Sequence, residues 1–107
     1  MTEQNKTRRQ KLEELLAQNP NDAFTRYGIA LDSYRQGDLA AADFHFKALL
    51  VNNPSYVPAY QMYAQVLAQS ERVEEAKSVL SKGIESAIQQ GNEHARSEME
   101  SHLADLN

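Results

Sequence analysis

His94, Glu98 and His102 recur at four-residue steps. On a helix that spacing would present two imidazoles and a carboxylate to a single ion. No further ligand or apolar wall accompanies the three, so the pattern reads as a polar stripe facing solvent, and neither a metal nor another cofactor is expected. His45 lies beside an apolar stripe and reads as a partly exposed packing residue. The other chemistry-bearing residues form no constellation. Every serine falls on a helix surface or in a turn, with no base and orienting group arranged around it. Gly28, Gly37, Gly83 and Gly91 do not build a phosphate loop; Gly28 and Gly83 fall inside helical stretches, where they permit close packing. Glu13-Glu14 and Glu74-Glu75 are sequence neighbours, so each pair diverges around a helix instead of converging for acid–base work. The expectation is a chain that is not an enzyme.

Composition narrows the class. The 107 residues are 41% hydrophobic and 24% charged, as in ordinary globular domains, and include no cysteine for a disulfide or a thiolate site. The opening residues MTEQNKTRRQKLEELL lack the apolar run of a secretory signal, and no stretch approaches a membrane span. A cytoplasmic protein with no membrane contact is therefore expected. The net charge of −4 is uneven: Lys6, Arg8, Arg9 and Lys11 face only Glu3, leaving +3 in residues 1–11 and −7 in the rest. An acidic body disfavours nucleic acid, whose phosphates require a broad basic face.

The elements that would position any site are set by an internal repeat. Asn19-Pro20-Asn21 and Asn53-Pro54-Ser55 stand 34 residues apart. A shift of 34 pairs Ile29 with Tyr63, Ala30 with Ala64, Leu39 with Val73, Ala42 with Ala76, Phe46 with Leu80 and Leu50 with Ile84, without a gap. Asn-Pro is expected to start each unit, the Asn capping a helix and the Pro fixing its first turn. Phe24, Tyr27, Leu31 and Tyr34 then follow at helical steps, and Gln36-Gly37-Asp38 is a stop and restart. Leu39, Ala42, Phe46, Leu49 and Leu50 form a second apolar stripe, which Asn52-Asn53-Pro54 is expected to end. The next unit runs from Tyr56 to Gln69, turns at Ser70-Glu71-Arg72 and resumes at Val73. Each unit is a helical hairpin. Ala30, Ala42, Ala64 and Ala76 let helix backbones approach to the short end of the packing range.

Gln36-Gly37-Asp38-Leu39, Ala42 and Phe46, together with Tyr60, Tyr63, Ala64 and Leu67, resemble the turn and helices of the tetratricopeptide repeat. The match is good over residues 21–54 and fair over 55–88. Arg26, Ser33 and Glu71 depart from the family pattern, which favours a large aromatic, a large apolar residue and Gly there. Ile88 replaces the closing proline, so the last helix of that unit should run on to about Gln90. The resemblance implies an all-α fold, a short right-handed α-solenoid of about six helices. Its expected parts are an amino-terminal helix (5–19), one repeat (20–53), a second (54–90) and a capping helix (91–107) in a single domain.

A surplus apolar stripe points to function. Ile29 and Ala30 supply the packing side of the first hairpin helix, yet Phe24, Tyr27, Leu31 and Tyr34 line another side. In the resembled family the first helices of the hairpins line a concave, peptide-gripping face. The resemblance therefore places Phe24, Tyr27, Leu31, Tyr34 and Arg35 in a groove beside Gln61, Met62, Gln65 and Gln69. Tyrosines next to Met and Gln suit an adaptable protein-binding surface. The same stripe could instead be core, covered by the amino-terminal helix. Some family members hold a partner's terminal carboxylate with Lys and Asn; Tyr27, Leu31 and Met62 occupy those places here, so that clamp is absent. A protein or peptide partner is expected, with a self-associating homodimer as the alternative.

Overall fold

The computed structural model describes residues 6–107, and residue 5, where the amino-terminal segment is expected to begin, lies outside them. Six helices and no strand appear among the described residues: α1 (Arg8–Gln18), α2 (Ala23–Arg35), α3 (Leu39–Asn52), α4 (Val57–Gln69), α5 (Val73–Gln89) and α6 (Glu93–Leu106). Two sequence devices end the first five.

The first is Asn-Pro, which closes the helix before it, as expected at Asn52-Asn53-Pro54, but does not start the helix after it. Asn19 and Asn53 do not cap the following helix. They close the preceding one, donating backbone N–H to Leu15 and Leu49 carbonyls. Their φ values of −142° and −138° are the extended backbone that a following proline imposes on its neighbour. The next helices begin later, after Asp22 and Tyr56.

The second device is a left-handed residue. Gly37, Glu71 and Gly91 have φ of 79°, 62° and 68°. After each, the backbone N–H of Asp38, Arg72 or Asn92 reaches back to Ser33, Leu67 or Ala87 at 2.9, 2.8 and 2.8 Å. This six-to-one closure satisfies carbonyls that a helix end otherwise leaves unpaired. Asp38 and Asn92 then cap the next helix through Ala41 and Ala95 N–H, both at 3.1 Å. Without a closing proline, α5 runs 17 residues against 14 for α3.

The hairpins α2–α3 and α4–α5 stack through α3 on α4, with α1 against α2 and α6 against α5. Helix α4 meets α2 and α6 along one side of the stack, whereas the backbones of α3 and α5 do not approach one another. The extents of 51 × 29 × 20 Å describe an elongated body, and the radius of gyration of 14.7 Å exceeds the ~13 Å of a compact chain this long.

Side-chain size sets the packing. Ala30, Ala42, Ala64 and Ala76 are fully buried, and Phe46 and Leu80 fill the space they leave. The tightest approach is at Gly83, where a Cβ would lie 2.6 Å from both Tyr60 Cβ and Met99 Sδ. Helices α4, α5 and α6 meet there only because α5 has no side chain at that point. Tyr60 and Ser86 both donate to the Pro54 carbonyl, at 2.6 and 3.2 Å, tying the α3–α4 turn to α5.

Two substitutions should move stability in opposite directions in urea melts. Gly83→Ala overpacks a three-helix junction and should cost about 1–3 kcal/mol. Glu71→Gly removes the steric penalty of a left-handed residue and, net of the greater entropy of the unfolded chain, should gain about 0.5–1 kcal/mol. Equal midpoints for both variants and wild type would refute the packing assignment.

Candidate protein-interaction site

The side shared by α2, α4 and α6 carries a cleft of about 370 Å³. Tyr27 from α2, Gln61, Met62 and Gln65 from α4, and Glu98 and Met99 from α6 are among its lining residues. A shallower cleft of about 310 Å³ continues it past Gln61 and Gln65 to His102 and Asp105. Four-residue steps place Gln61, Gln65 and Gln69 in a row along α4, and Tyr34 joins the row from α2. Gln69 Nε2 donates to the Tyr34 hydroxyl at 2.7 Å, which donates to Gln65 Oε1 at 3.2 Å. This hydroxyl-and-amide chain offers both donors and acceptors to a peptide backbone.

The residues of the surplus stripe have separate fates. Phe24 is 75% exposed. Tyr27 is half-buried, its ring edge-on to Phe46 at 6.1 Å and 5.2 Å from Tyr56. Burial, then the neighbouring Tyr56, pushes its phenol pKa up, with Arg35 opposing. Leu31 packs partly against the core, and Arg35 is exposed. Phe24, Leu31 and Arg35 do not line the cleft itself. Helix α1 packs its backbone against α2 and lays Leu12 against Gly28, about 100° around the helix from Tyr27. The partial cover over Tyr27 therefore comes from Phe46 and Tyr56.

Sequence reasoning missed the contribution of α6. Glu98, Met99, His102 and Asp105 complete the cleft, and the signal was the period that places Met99, Leu103 and Leu106 on the core. His94 is strongly exposed and meets Glu98 at 3.3 Å, whereas His102 Nδ1 is buried without a partner. Among the described residues no group of three His, Cys, Asp or Glu side chains is placed to hold a metal ion. His45 sits where α1, α2 and α3 meet, its Nδ1 3.2 Å from Arg26 Nη1. Burial, then the Arg26 and Arg9 guanidiniums, pushes its pKa down, so the ring is neutral and accepts from Arg26.

A family model described as tetratricopeptide repeat matches residues 33–96. The chain belongs to the tetratricopeptide repeat family. A tetratricopeptide repeat domain protein of Salinibacter ruber, solved in solution, is similar at 26% identity with a TM-score of 0.79, over 83% of this chain and 90% of that one. A crystal structure of the Salinibacter domain gives 0.76, over 79% and 94%. A Bordetella parapertussis protein solved in solution shares the fold, with a TM-score of 0.81 at 22% identity over 94% and 88% of the two chains. No curated protein matches the chain. As a tetratricopeptide repeat protein it carries a fold that generally serves protein interaction without catalysis. No helix among the described residues is long and apolar enough to cross a membrane.

The two tyrosines of this repeat should separate in urea melts. Tyr27→Ala removes a half-buried ring from Phe46 and Tyr56 and should cost about 2–3 kcal/mol, below the ~3–5 of a fully buried aromatic. Tyr34→Ala removes two hydrogen bonds and a ring packed only at the edge of the core, and should cost about 1–2 kcal/mol. Equal losses would contradict the packing described for Tyr27.

Proposed function

We propose that the chain is a non-catalytic interaction module that takes up a peptide segment of a protein partner on the face formed by α2, α4 and α6. The observation that carries this reading is the cleft in which Gln61, Met62 and Gln65 lie beside Tyr27 and the α6 side chains. Its amides can pair with an extended backbone, and Met62 gives an adaptable apolar contact for side chains of varied shape. Phe24, Leu31 and Arg35 flank the cleft and would extend the contact beyond it, while Tyr34 and Gln69 hold Gln65 in place. The acidic body, with net charge −4, supports a protein partner over nucleic acid. A cytoplasmic setting fits this use. The rival reading is a homodimer, favoured by Phe24, an aromatic ring left 75% exposed beside the cleft.

Panning a displayed peptide library on the chain tests the proposal. Enriched peptides should bind wild type and weaken by about tenfold or more with the Gln61→Ala, Met62→Ala double variant. Peptides that bind both proteins equally would refute this face as the site. Light scattering during size exclusion tests the rival, which requires a dimer that Phe24→Ser dissociates.

A further inference from the structure

The opposite side of the stack carries a different surface. There α3 and α5 flank α4 without close approach of their backbones, leaving a cleft of about 470 Å³. That volume lies within the range of sites that take ligands, about 300–1,000 Å³. Tyr60, Tyr63 and Leu67 of α4 form its floor, Leu50 and Val51 of α3 one wall, and Val79 of α5 the other. Val51 is 74% exposed, and Phe44, on the same side of α3, is 64% exposed. Ala40, Phe44, Lys47 and Val51 follow one another at steps of four, three and four, a helical stripe facing away from the core that holds Ala42, Phe46 and Leu49. Helix α3 is therefore apolar on two sides, and only one is covered.

The charges at the rim say what would cover the other side. Glu75 is occupied: Arg72 donates two hydrogen bonds to it, both at 2.8 Å. Arg72 also pairs with Asp43 at 3.3 Å, and Asp43 accepts the Tyr63 hydroxyl at 2.8 Å. Lys47 on α3 and Lys82 on α5 line the same cleft, and neither forms a close ion pair with any described residue, although Lys47 adds to Arg72 in holding the Glu75 carboxyl down. On a chain of net charge −4, the two cationic tips stand over an apolar trough. The lining positions Glu75, Ser78, Val79 and Lys82 also recur at helical steps. The α5 wall thus presents about two turns, near 10.5 Å, and the α3 wall from Lys47 to Val51 about one turn, near 6 Å, lengths that suit the apolar face of a short partner helix.

We infer that the cleft between α3 and α5 is a second docking site, for an acidic amphipathic peptide helix. Its apolar side chains seat on Leu50, Val51 and Val79, and its carboxylates meet Lys47 and Lys82. Apolar burial holds the helix in the trough, and the lysines select its charge and fix its register. The site is independent of the face formed by α2, α4 and α6, so either can fail without the other.

A fluorescein-labelled peptide, Ac-SDEELFELLEEDS-amide, tests the inference by fluorescence anisotropy, against a counterpart with every Asp and Glu replaced by Lys. An acidic body favours the lysine peptide everywhere else, so preference for the acidic one is diagnostic. Wild type should bind the acidic peptide more tightly than the basic one. Val51→Asp, and separately the Lys47→Glu, Lys82→Glu pair, should each weaken that binding by about tenfold or more, while Gln61→Ala with Met62→Ala leaves it unchanged. All substituted side chains on the α3–α5 face are exposed, and circular dichroism melts confirm the fold of each variant. No binding of the acidic peptide up to about 1 mM, tighter binding of the basic one, or insensitivity to both α3–α5 variants would overturn the inference. So would a dimer that Val51→Asp dissociates, since a second copy would then be the occupant.

Discussion

Helix backbones approach most closely where side chains are methyl-sized or missing, and this chain places such residues within both hairpins and where α5 meets α4 and α6. Ala30, Ala42, Ala64 and Ala76 are fully buried at matching positions of the two hairpins, and Gly83 brings α5 against Tyr60 and Met99. Close approach at these points makes α4 the common neighbour of α3 and α5 and keeps those two apart from one another. Both clefts follow from that geometry. One lies where α2, α4 and α6 converge, and the other where α3 and α5 fail to meet.

Polar contacts then fix what packing leaves adjustable. Apolar surfaces slide with little penalty, whereas a buried hydroxyl or carboxylate is costly to leave unpaired. Tyr63 on α4, Asp43 on α3, and Arg72 with Glu75 at the start of α5 form one chain of hydrogen bonds and ion pairs across three helices. Burial first, and then the bond to Asp43, pushes the Tyr63 phenol well above its ordinary range, so it stays a donor at any physiological pH. The Arg72 hydrogen bonds push Glu75 down and keep it ionised. The Pro54 carbonyl plays the same part at the far end, accepting from Tyr60 and Ser86.

The fold was legible because its signals are local and repeated. The 34-residue spacing, the left-handed Gly37 and Gly91, and the caps at Asp38 and Asn92 all act within a few residues of themselves. Asn-Pro was legible as a helix end but misleading as a helix start, because both halves of the pair fit either end of a helix. Asn is a good cap, and Pro a good first-turn residue or a good stop, and only backbone angles distinguish the cases. The candidate site was harder. Tyr27 and Tyr34 share a stripe, yet one ring meets Phe46 and Tyr56 while the other bonds to glutamines on a neighbouring hairpin. Periodicity assigns a face to a helix but not the neighbour that covers it. For the same reason the outward stripe of α3 was invisible: Phe44 and Val51 look like further core residues until the helices beside them are placed.

The two faces also differ in the energy each can offer a partner. The α2–α4–α6 face presents amides and tyrosine hydroxyls already bonded to one another through Tyr34, Gln65 and Gln69. A ligand there must exchange existing hydrogen bonds for new ones, so the net gain per bond is small and shape and direction dominate. The α3–α5 face presents Val51 and Phe44 to water, and covering them releases hydration without breaking any protein contact. Its lysines form no close ion pair among the described residues, and Lys47 acts only at longer range on Glu75, whose carboxylate Arg72 already holds. A stack of two hairpins is too short to wrap a long peptide on one face. Using both faces doubles the surface that such a small core can present without adding a repeat.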